Sequence, residues 1–315
     1  MKLMRIMRVL CFAATMIPAC NGVNADAASI QSYLIPADRP EKVGNKHHIE
    51  SHATILVDSF AMADGKPYKE TSETGSVDLI GTLTVVAVAP NGVPSAVDIL
   101  VDKCELITNG IPAEVVKKGD RLAMMKQVAI SNGSVRLNDV ELDKKTAYLI
   151  TSFLPLSEPD RTEHVGHLYG FDVRREVGER WDINPAMFAK YMNTFSPGAK
   201  EGDYSGTAEF TGITRTNGAE WANVRLDLTS VSPPPEQGSW KTTGFRATTV
   251  MSLAIPFGDK PLQRSGEINR TQKMWMGNDY KNHGVLQHLI FNTVSKYKAV
   301  YVITPLDTDK ATSGD

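Results

Sequence analysis

The amino-acid sequence predicts a mainly β protein of the α+β class. We expect two related halves of antiparallel hairpins that form curved sheets, together with a few short helices. Three observations predict this: several segments alternate apolar and polar residues, Asn-Gly turns separate such segments, and helix signals are few. The 315 residues, of which 42% are hydrophobic and 22% charged, are enough to bury a substantial core.

The first residues have the three-part pattern of a secretory signal peptide. Three basic residues lie within the first eight positions, an apolar stretch follows over residues 9–19, and small residues come next. Ala25-Asp26-Ala27 fits the small residues that precede a cleavage site. We therefore expect residues 1–27 to be a signal peptide and the mature protein to be exported, to the periplasm or outside the cell.

A second cleavage site is an alternative. Ile17-Pro18-Ala19-Cys20 resembles a bacterial lipobox, and cleavage before Cys20 would leave a lipidated cysteine that anchors the protein to a membrane. The proline two positions before the cysteine departs from the usual lipobox. No later segment has about 18 uninterrupted apolar residues, so we predict no transmembrane helix.

After the signal peptide, residues 28–157 and 158–305 are predicted to form the two β-rich halves, and residues 306–315 a disordered tail. Val43 to Glu50 resembles Val177 to Asn184. In each half a hairpin with an Asn-Gly turn follows, at Asn91-Gly92 and at Asn217-Gly218, because both residue types tolerate positive φ. The matched order of these blocks predicts an internal repeat.

A further hairpin is predicted in each half, and helices are predicted at two places. Arg121 to Leu142 is expected to turn at Ser131-Asn132-Gly133, and Arg246 to Ile268 at residues 257–261. Lys144 to Phe153 has helical spacing. Asn184 followed by proline predicts a capped helix that ends before Pro197-Gly198.

Charge, motifs and cysteines exclude several functions. The net charge of −2 argues against a nucleic-acid binder held by phosphate contacts. Phosphate-binding loops, nucleophile elbows and paired Cys-x-x-Cys motifs are absent, so no catalytic residue can be named and a non-enzymatic protein is the expectation. If cleavage follows Ala27, Cys104 is the only cysteine left, and we expect a buried thiol without an internal disulfide.

One group of side chains suggests a metal site. His48, Glu50 and His52 would point to one face of a strand, and two imidazoles with a carboxylate suit zinc or iron. Alternate residues on a strand stand about 6.5 to 7 Å apart, so further ligands would be needed. A solvated polar strand face is the alternative, and we expect no cofactor unless this zinc or iron site forms.

The export signal, the Val-Gly-x-x-(Trp/His)-x-Ile entry and the paired hairpins resemble uncharacterised exported two-repeat β-rich proteins of environmental bacteria. Val177 to Asn184 carries most of this resemblance. At the level of the fold, the chain is also similar to envelope lipid carriers, in which a curved sheet shelters an acyl chain under helices. That resemblance implies a lipid as the ligand.

Three functions follow as hypotheses. The first is a non-enzymatic cell-envelope protein that binds a ligand, such as a lipid, or a protein partner through a curved sheet. The second is a metal-assisted hydrolase that uses His48, Glu50 and His52. The third is a structural component of envelope assembly. The sequence names neither the ligand nor the partner nor the oligomeric state.

Overall fold

The computed structural model describes residues 31–36, 40–113, 115–127, 130–151, 154, 156–157, 159, 161–162, 165–193, 198–216, 218–231, 241–257, 264–282 and 285–306. The predicted signal peptide, the predicted anchor Cys20 and almost all of the predicted tail lie outside these residues. The chain from Ser32 onward forms one compact unit.

Fifteen strands and three α-helices lie in the described residues. The first eight strands in the chain are β1 (Ser32–Tyr33), β2 (Lys46–Ala63), β3 (Lys66–Val88), β4 (Pro94–Thr108), β5 (Ile111–Ala113), β6 (Arg121–Gln127), β7 (Ile130–Leu137) and β8 (Val140–Glu141). The later strands are β9 (Arg175–Glu176), β10 (Arg180–Asp182), β11 (Tyr204–Thr216), β12 (Ala219–Ser230), β13 (Lys241–Pro256), β14 (Arg264–Asn282) and β15 (Val285–Pro305). The helices are α1 (Lys144–Thr151), α2 (Val165–Tyr169) and α3 (Pro185–Asn193), with a short 3-10 helix at Glu201–Asp203.

Thirteen of the strands form one sheet. Their order is β10-β11-β12-β13-β14-β15-β2-β3-β4-β6-β7-β8, with β5 paired to β4, and the neighbouring strands run antiparallel. The last strand, β15, pairs with β2 along its length, from Leu289 opposite Ala63 to Pro305 opposite His47. The predicted fold class is confirmed: the protein is mainly β, with curved antiparallel sheet and few short helices.

Two of the four predicted hairpin turns form where expected, and the turn predicted at residues 257–261 lies almost wholly outside the described residues. The turn with Asn91-Gly92 joins β3 to β4, and the turn before Ala219 joins β11 to β12. The turn predicted at Ser131-Asn132-Gly133 is wrong, because these residues lie inside β7 and Gln127 pairs with Ile130. The observed register places apolar Leu122 opposite Leu137, and burial of such pairs outweighs the local turn signal.

Alternation gives the sheet one apolar face. On β2 the residues Ile49 and Ala53 have no exposed surface, and on β15 the same holds for Ala299 and Ile303. We call the face that carries these residues the inner face and the opposite one the outer face. Strands β2 to β7, β15 and helix α1 together form the first core cluster on the inner face. This burial is the main stabilising term for the half.

A second core cluster covers the inner face of the later strands. Phe210 of β11 and Leu226 of β12 are fully buried in it. Tyr33 of β1 packs edge-on against Phe210, with ring centroids 5.8 Å apart. Trp181 of β10 donates its indole N–H to the carbonyl of Tyr169, at 2.7 Å. Strand β1 pairs with β9 in a separate two-stranded sheet, and its Tyr33 packs against this second cluster.

The predicted helices form close to their expected bounds. Helix α1 begins at Lys144 as predicted. Helix α3 begins after Asn184, whose side-chain oxygen accepts a hydrogen bond from the Met187 amide at 3.1 Å, as expected for an N-cap. Among the described residues, no helix combines the length and the apolar character that crossing a membrane requires.

We propose that the two halves are related, and two parallels in backbone geometry support this. Gly44 and Gly178 have positive φ angles of 89° and 87°, and each donates its amide to a strand of its own half, at Val85 and Phe210. At Gly81 and Gly206, an added Cβ atom would meet a backbone carbonyl of the neighbouring strand. Both pairs keep the order that the sequence predicts.

Candidate functional site

The outer face of the sheet is a solvated surface. It carries cross-strand ion pairs such as Lys298 to Glu267, with Nζ and Oε1 2.9 Å apart, and Arg121 to Asp98, at 2.6 Å. Exposed apolar residues also lie on this face, such as Val300 and Val302 of β15, and Val300 stands between Glu267 and His52 of the neighbouring strands. Exposed apolar side chains among polar neighbours are normal on a protein surface.

Three residues predicted to bind a metal lie on the outer face. His48 Nε2 is 3.1 Å from Glu50 Oε1, and His52 Nδ1 is 2.6 Å from Asp78 Oδ1. The structure brings His48 and Glu50 together but pairs His52 with a different carboxylate. The described part of the chain contains no group of three or more His, Cys, Asp or Glu side chains placed to hold a metal ion. The zinc or iron site stays a prediction that elemental analysis can test.

His47, the neighbour of His48, lies on the inner face. Its side chain is 1% exposed and its Nε2 is 3.3 Å from Oε1 of the buried Glu41. Asn45 donates to the other oxygen of Glu41 at 2.7 Å. Adjacent residues on a strand point to opposite faces, so this histidine supports the start of β2 and takes no part in the predicted metal group.

A shallow cleft lies at the N-terminus of α3. It has a volume of about 430 Å³ and is lined by His167, Asp172, Asp182 and the residues around Asn184. His167 Nδ1 is 3.1 Å from Asp172 Oδ2, and both side chains are nearly half exposed. Two carboxylates and an imidazole share this cleft with Ile183, Pro185 and Met187, so its lining is mixed in polarity.

The inner face differs along the length of the central strands. At one end of these strands, α1 packs directly on the sheet: a Cβ atom on Gly75 would lie 3.0 Å from Leu149 Cδ1 and 3.2 Å from Ile55 Cγ2. The residues before Ile55 on β2 belong to the first core cluster. Beyond it, the inner-face residues of β2 are only partly buried. Gly75 and Ile55 therefore mark the limit of the fully packed core.

Polar side chains lie on the inner face just beyond that limit. Arg270 faces inward because it follows Ile268, which packs against the first core cluster, without a bulge between them. Register places Arg270 opposite Thr249 of β13 and Tyr297 of β15. We call the following partly buried residues the polar band: Thr249, Arg270, Gln272, Thr293 and Ser295.

Large apolar side chains follow the polar band on the same face. We call this group the half-buried region, and it consists of Phe245, Met274, Met276 and Phe291. Register places Phe245 opposite Met274 and Met276 opposite Phe291, so the group is contiguous across three neighbouring strands, β13, β14 and β15. Methionine adapts its shape easily and is common on surfaces that bind varied apolar partners.

Two polar atoms of the band lack a partner. Arg270 Nε and Thr293 Oγ1 are buried and have no hydrogen-bond partner within the described residues. A buried polar group without a partner costs roughly 1–3 kcal/mol, and more when it is charged. A bound group with complementary polar atoms would remove this cost.

Sequence analysis did not single out these residues. The alternation of Ile268, Arg270, Gln272, Met274 and Met276 mixes apolar and polar types on one face, and this weakens the strand signal. Arg270 lies at every-second-residue spacing between Ile268 and the methionines Met274 and Met276, and this was the signal that could have identified the polar band. Its meaning depends on the neighbouring strands, which only the register gives.

Comparisons with known proteins give little more than a general likeness. No family model matches the sequence, and no curated protein matches it. Lipovitellin, in a structure of its lipid–protein interactions, is 11% identical with a TM-score of 0.38 and 87% of this chain covered. The chain spans 27% of the length of that lipovitellin chain.

Two structures of MucB bound to MucA are also similar to this chain. The complex from Pseudomonas aeruginosa is 9% identical to this chain, with a TM-score of 0.16. The aligned residues cover 82% of this chain and 90% of the matched chain of the complex. MucB with MucA(peri) is 10% identical with a TM-score of 0.17, and it covers 83% of this chain and 90% of that one. Values this low assign neither a family nor a function.

Proposed function

We propose that this protein is an exported, non-enzymatic binding protein of the cell envelope that holds an amphipathic lipid on the inner face of its sheet. The observation that carries the proposal is the half-buried region next to the polar band. Adjacent apolar and polar side chains on one partly covered face match a ligand that has both an acyl chain and a polar head.

The apolar part of the site has enough surface to matter. Burying one large apolar side chain or its equivalent in a ligand contributes about 1.5–3 kcal/mol. Phe245, Met274, Met276 and Phe291 are four such side chains within reach of one another across the sheet. An acyl chain that covers them would therefore gain several kcal/mol from contact alone.

Retained lipid is the first test. The exported protein is purified from cells without detergent and measured by native mass spectrometry. We expect a population with the added mass of one acyl lipid, which organic extraction releases. Protein that carries no lipid and takes up no fluorescent fatty acid afterwards would contradict the proposal.

A matched pair of variants locates the site. Met274→Asp places a charge in the half-buried region, and we expect it to reduce binding of a fluorescent fatty acid at least tenfold, because a buried charge is costly. Met125→Asp makes the same change at an exposed residue outside the site, at 49% exposure, and should leave binding unchanged. Equal effects of both substitutions would contradict the location.

Export itself stays an expectation from the sequence. The intact mass of the mature protein distinguishes an N-terminus at Ala28 from a lipidated Cys20. A soluble form and an anchored form differ in how they would deliver a lipid, so this mass also sets where the binding site works.

A further inference from the structure

Arg270 is surrounded by neutral side chains on the inner face. The strand register places eight residues around it on this face, and none of them carries a carboxylate. They are Ile268, Gln272, Ala247, Thr249, Met251, Ser295, Tyr297 and Ala299. Neighbouring strands lie about 4.8 Å apart, so these are the side chains that its guanidinium meets within the sheet.

The guanidinium is also partly removed from water. Its Nε atom is buried and has no hydrogen-bond partner within the described residues. Arginine stays charged at any physiological pH, so it cannot reduce the cost of burial by losing its proton. Within the sheet, this positive charge has no carboxylate beside it until an anion binds.

The two sides of Arg270 differ. Toward Ile268 the inner face belongs to the packed core, and toward Met276 it is the half-buried region. Six residues of strand separate Arg270 from Met276, which is about 20 Å at the usual rise per residue. One leaflet of bilayer hydrocarbon is about 15 Å thick, so an extended acyl chain fits in this length.

We propose that Arg270 binds the carboxylate of a long-chain fatty acid whose acyl chain lies along the half-buried region toward Met276 and Phe291. This inference rests on the proposed function and names its ligand. The guanidinium offers parallel N–H donors that match the two oxygens of a carboxylate, and Thr293 offers a hydroxyl further along the same face.

The compact head group favours a fatty acid over a phospholipid. Arg270 is the cation of the band, and its surroundings contain bulky side chains such as Tyr297 and Met251. A carboxylate has one charge and no further substituent, whereas a phospholipid head carries a glycerol and a second chain. The site therefore matches the smaller anion.

The experiment compares a charged ligand with its neutral counterpart. The exported protein, stripped of lipid, is titrated with cis-parinaric acid and with its methyl ester, and binding is followed by probe fluorescence. We expect the acid to bind about ten- to a hundredfold more tightly than the ester, as for a hydrogen bond to a charged group. Phosphatidylglycerol vesicles form a third arm and should not displace the acid.

Variants assign the difference to Arg270. Arg270→Met should remove the preference for the acid and leave ester binding unchanged, and Arg270→Lys should retain part of it. Arg246→Met changes an exposed arginine that faces outward on β13, and it should leave both affinities unchanged. A structural role would make Arg270→Met less stable. We expect the ligand-free variant to be at least as stable as the parent, because a partly buried charge without a carboxylate beside it has been removed.

The outcomes separate this inference from the function on which it rests. Equal binding of acid and ester that Arg270→Met leaves unchanged would overturn the role of Arg270 and keep the lipid-binding function. Binding of neither probe would overturn both. Displacement of the acid by phosphatidylglycerol, or an equal loss in the Arg246→Met variant, would also overturn the proposal of a fatty acid held by Arg270.

Discussion

The same strands are packed in two ways along their length. On β15, Ala299 and Ile303 have no exposed surface, while Phe291 and Ser295 on the same face are only partly buried. On β2, Ile49 and Ala53 are fully buried and Val57 is not. Alternation alone cannot produce this difference, since it continues through both regions. The packed part of the sheet is the part on which α1 lies, since Leu149 and Ile150 of this helix belong to the first core cluster.

The packed core and the half-buried region should differ most in how much stability is lost when a side chain is truncated to alanine. Met124 is 2% exposed in the first core cluster, so Met124→Ala should lower the free energy of unfolding by about 2–5 kcal/mol. The same change at Met274 should lower it by less than about 1.5 kcal/mol, because the side chain is only partly buried. Urea unfolding of the ligand-free protein measures both. Equal losses would show that the two regions are packed alike.

A larger side chain at the limit of the core should also destabilise the protein. Gly75→Val would push against Leu149 and Ile55, and overpacking of this kind costs about 1–3 kcal/mol. Gly202→Val is the control, since an added Cβ atom there meets nothing within 4 Å. If the two variants unfolded at the same urea concentration, α1 would not pack at Gly75 as described.

The rate of thiol alkylation should differ between the packed core and the half-buried region. Burial is the largest cause that raises the pKa of Cys104 to about 11, with the nearby Asp78 and Glu105 adding to it. Its thiol should therefore react with iodoacetamide at pH 8 about tenfold or more slowly than a cysteine placed at Met274, because the thiolate is the reactive form. Peptide mapping by mass spectrometry identifies the alkylated residue. Equal rates would mean that Cys104 is as accessible as Met274.

The same raised pKa gives a stability that depends on pH. The folded state favours the neutral thiol, so its contribution is fully present below the ordinary cysteine pKa of about 8.5 and is lost as pH rises toward 11. As the pH rises over this range, the free energy of unfolding of the parent should therefore fall more than that of Cys104→Ala. Parallel pH profiles for the two proteins would contradict the assignment.

The smallest effect is expected on the outer face. Lys298 and Glu267 form an ion pair in which both side chains are about half exposed, at 52% and 41%. Lys298→Ala should change the free energy of unfolding by less than about 1 kcal/mol, because water screens exposed charges. A loss comparable to that of Met124→Ala would mean that the outer face is covered.

Much of the fold could be predicted from the sequence, because period-two alternation and Asn-Gly turns are local signals. Turns near Asn91 and before Ala219, and the Asn184 cap, lie where expected. The turn at Ser131 was wrong because pairing of Leu122 with Leu137 sets the register. Strand β15 was not predicted, and its pairing with β2 joins residues that are more than 200 positions apart in the sequence.

The candidate site could not be predicted in the same way. His48, Glu50 and His52 attracted attention because their residue types are chemically distinctive, yet they lie on a solvated face and divide between two carboxylates. Arg270 and Met274 are ordinary residues whose significance comes from neighbours on β13 and β15. Local patterns identify chemistry that one segment holds, and a site built across three strands requires the register.

The most direct test of the account is to find where a bound acyl chain lies. A fatty acid with a photoreactive diazirine in its chain is cross-linked to the lipid-free protein, and the labelled residues are mapped by mass spectrometry. We expect labels on Met274, Met276 and Phe291, and none on outer-face Val300. Labels on Val300 and its outer-face neighbours, or labels spread evenly over the sheet, would contradict it.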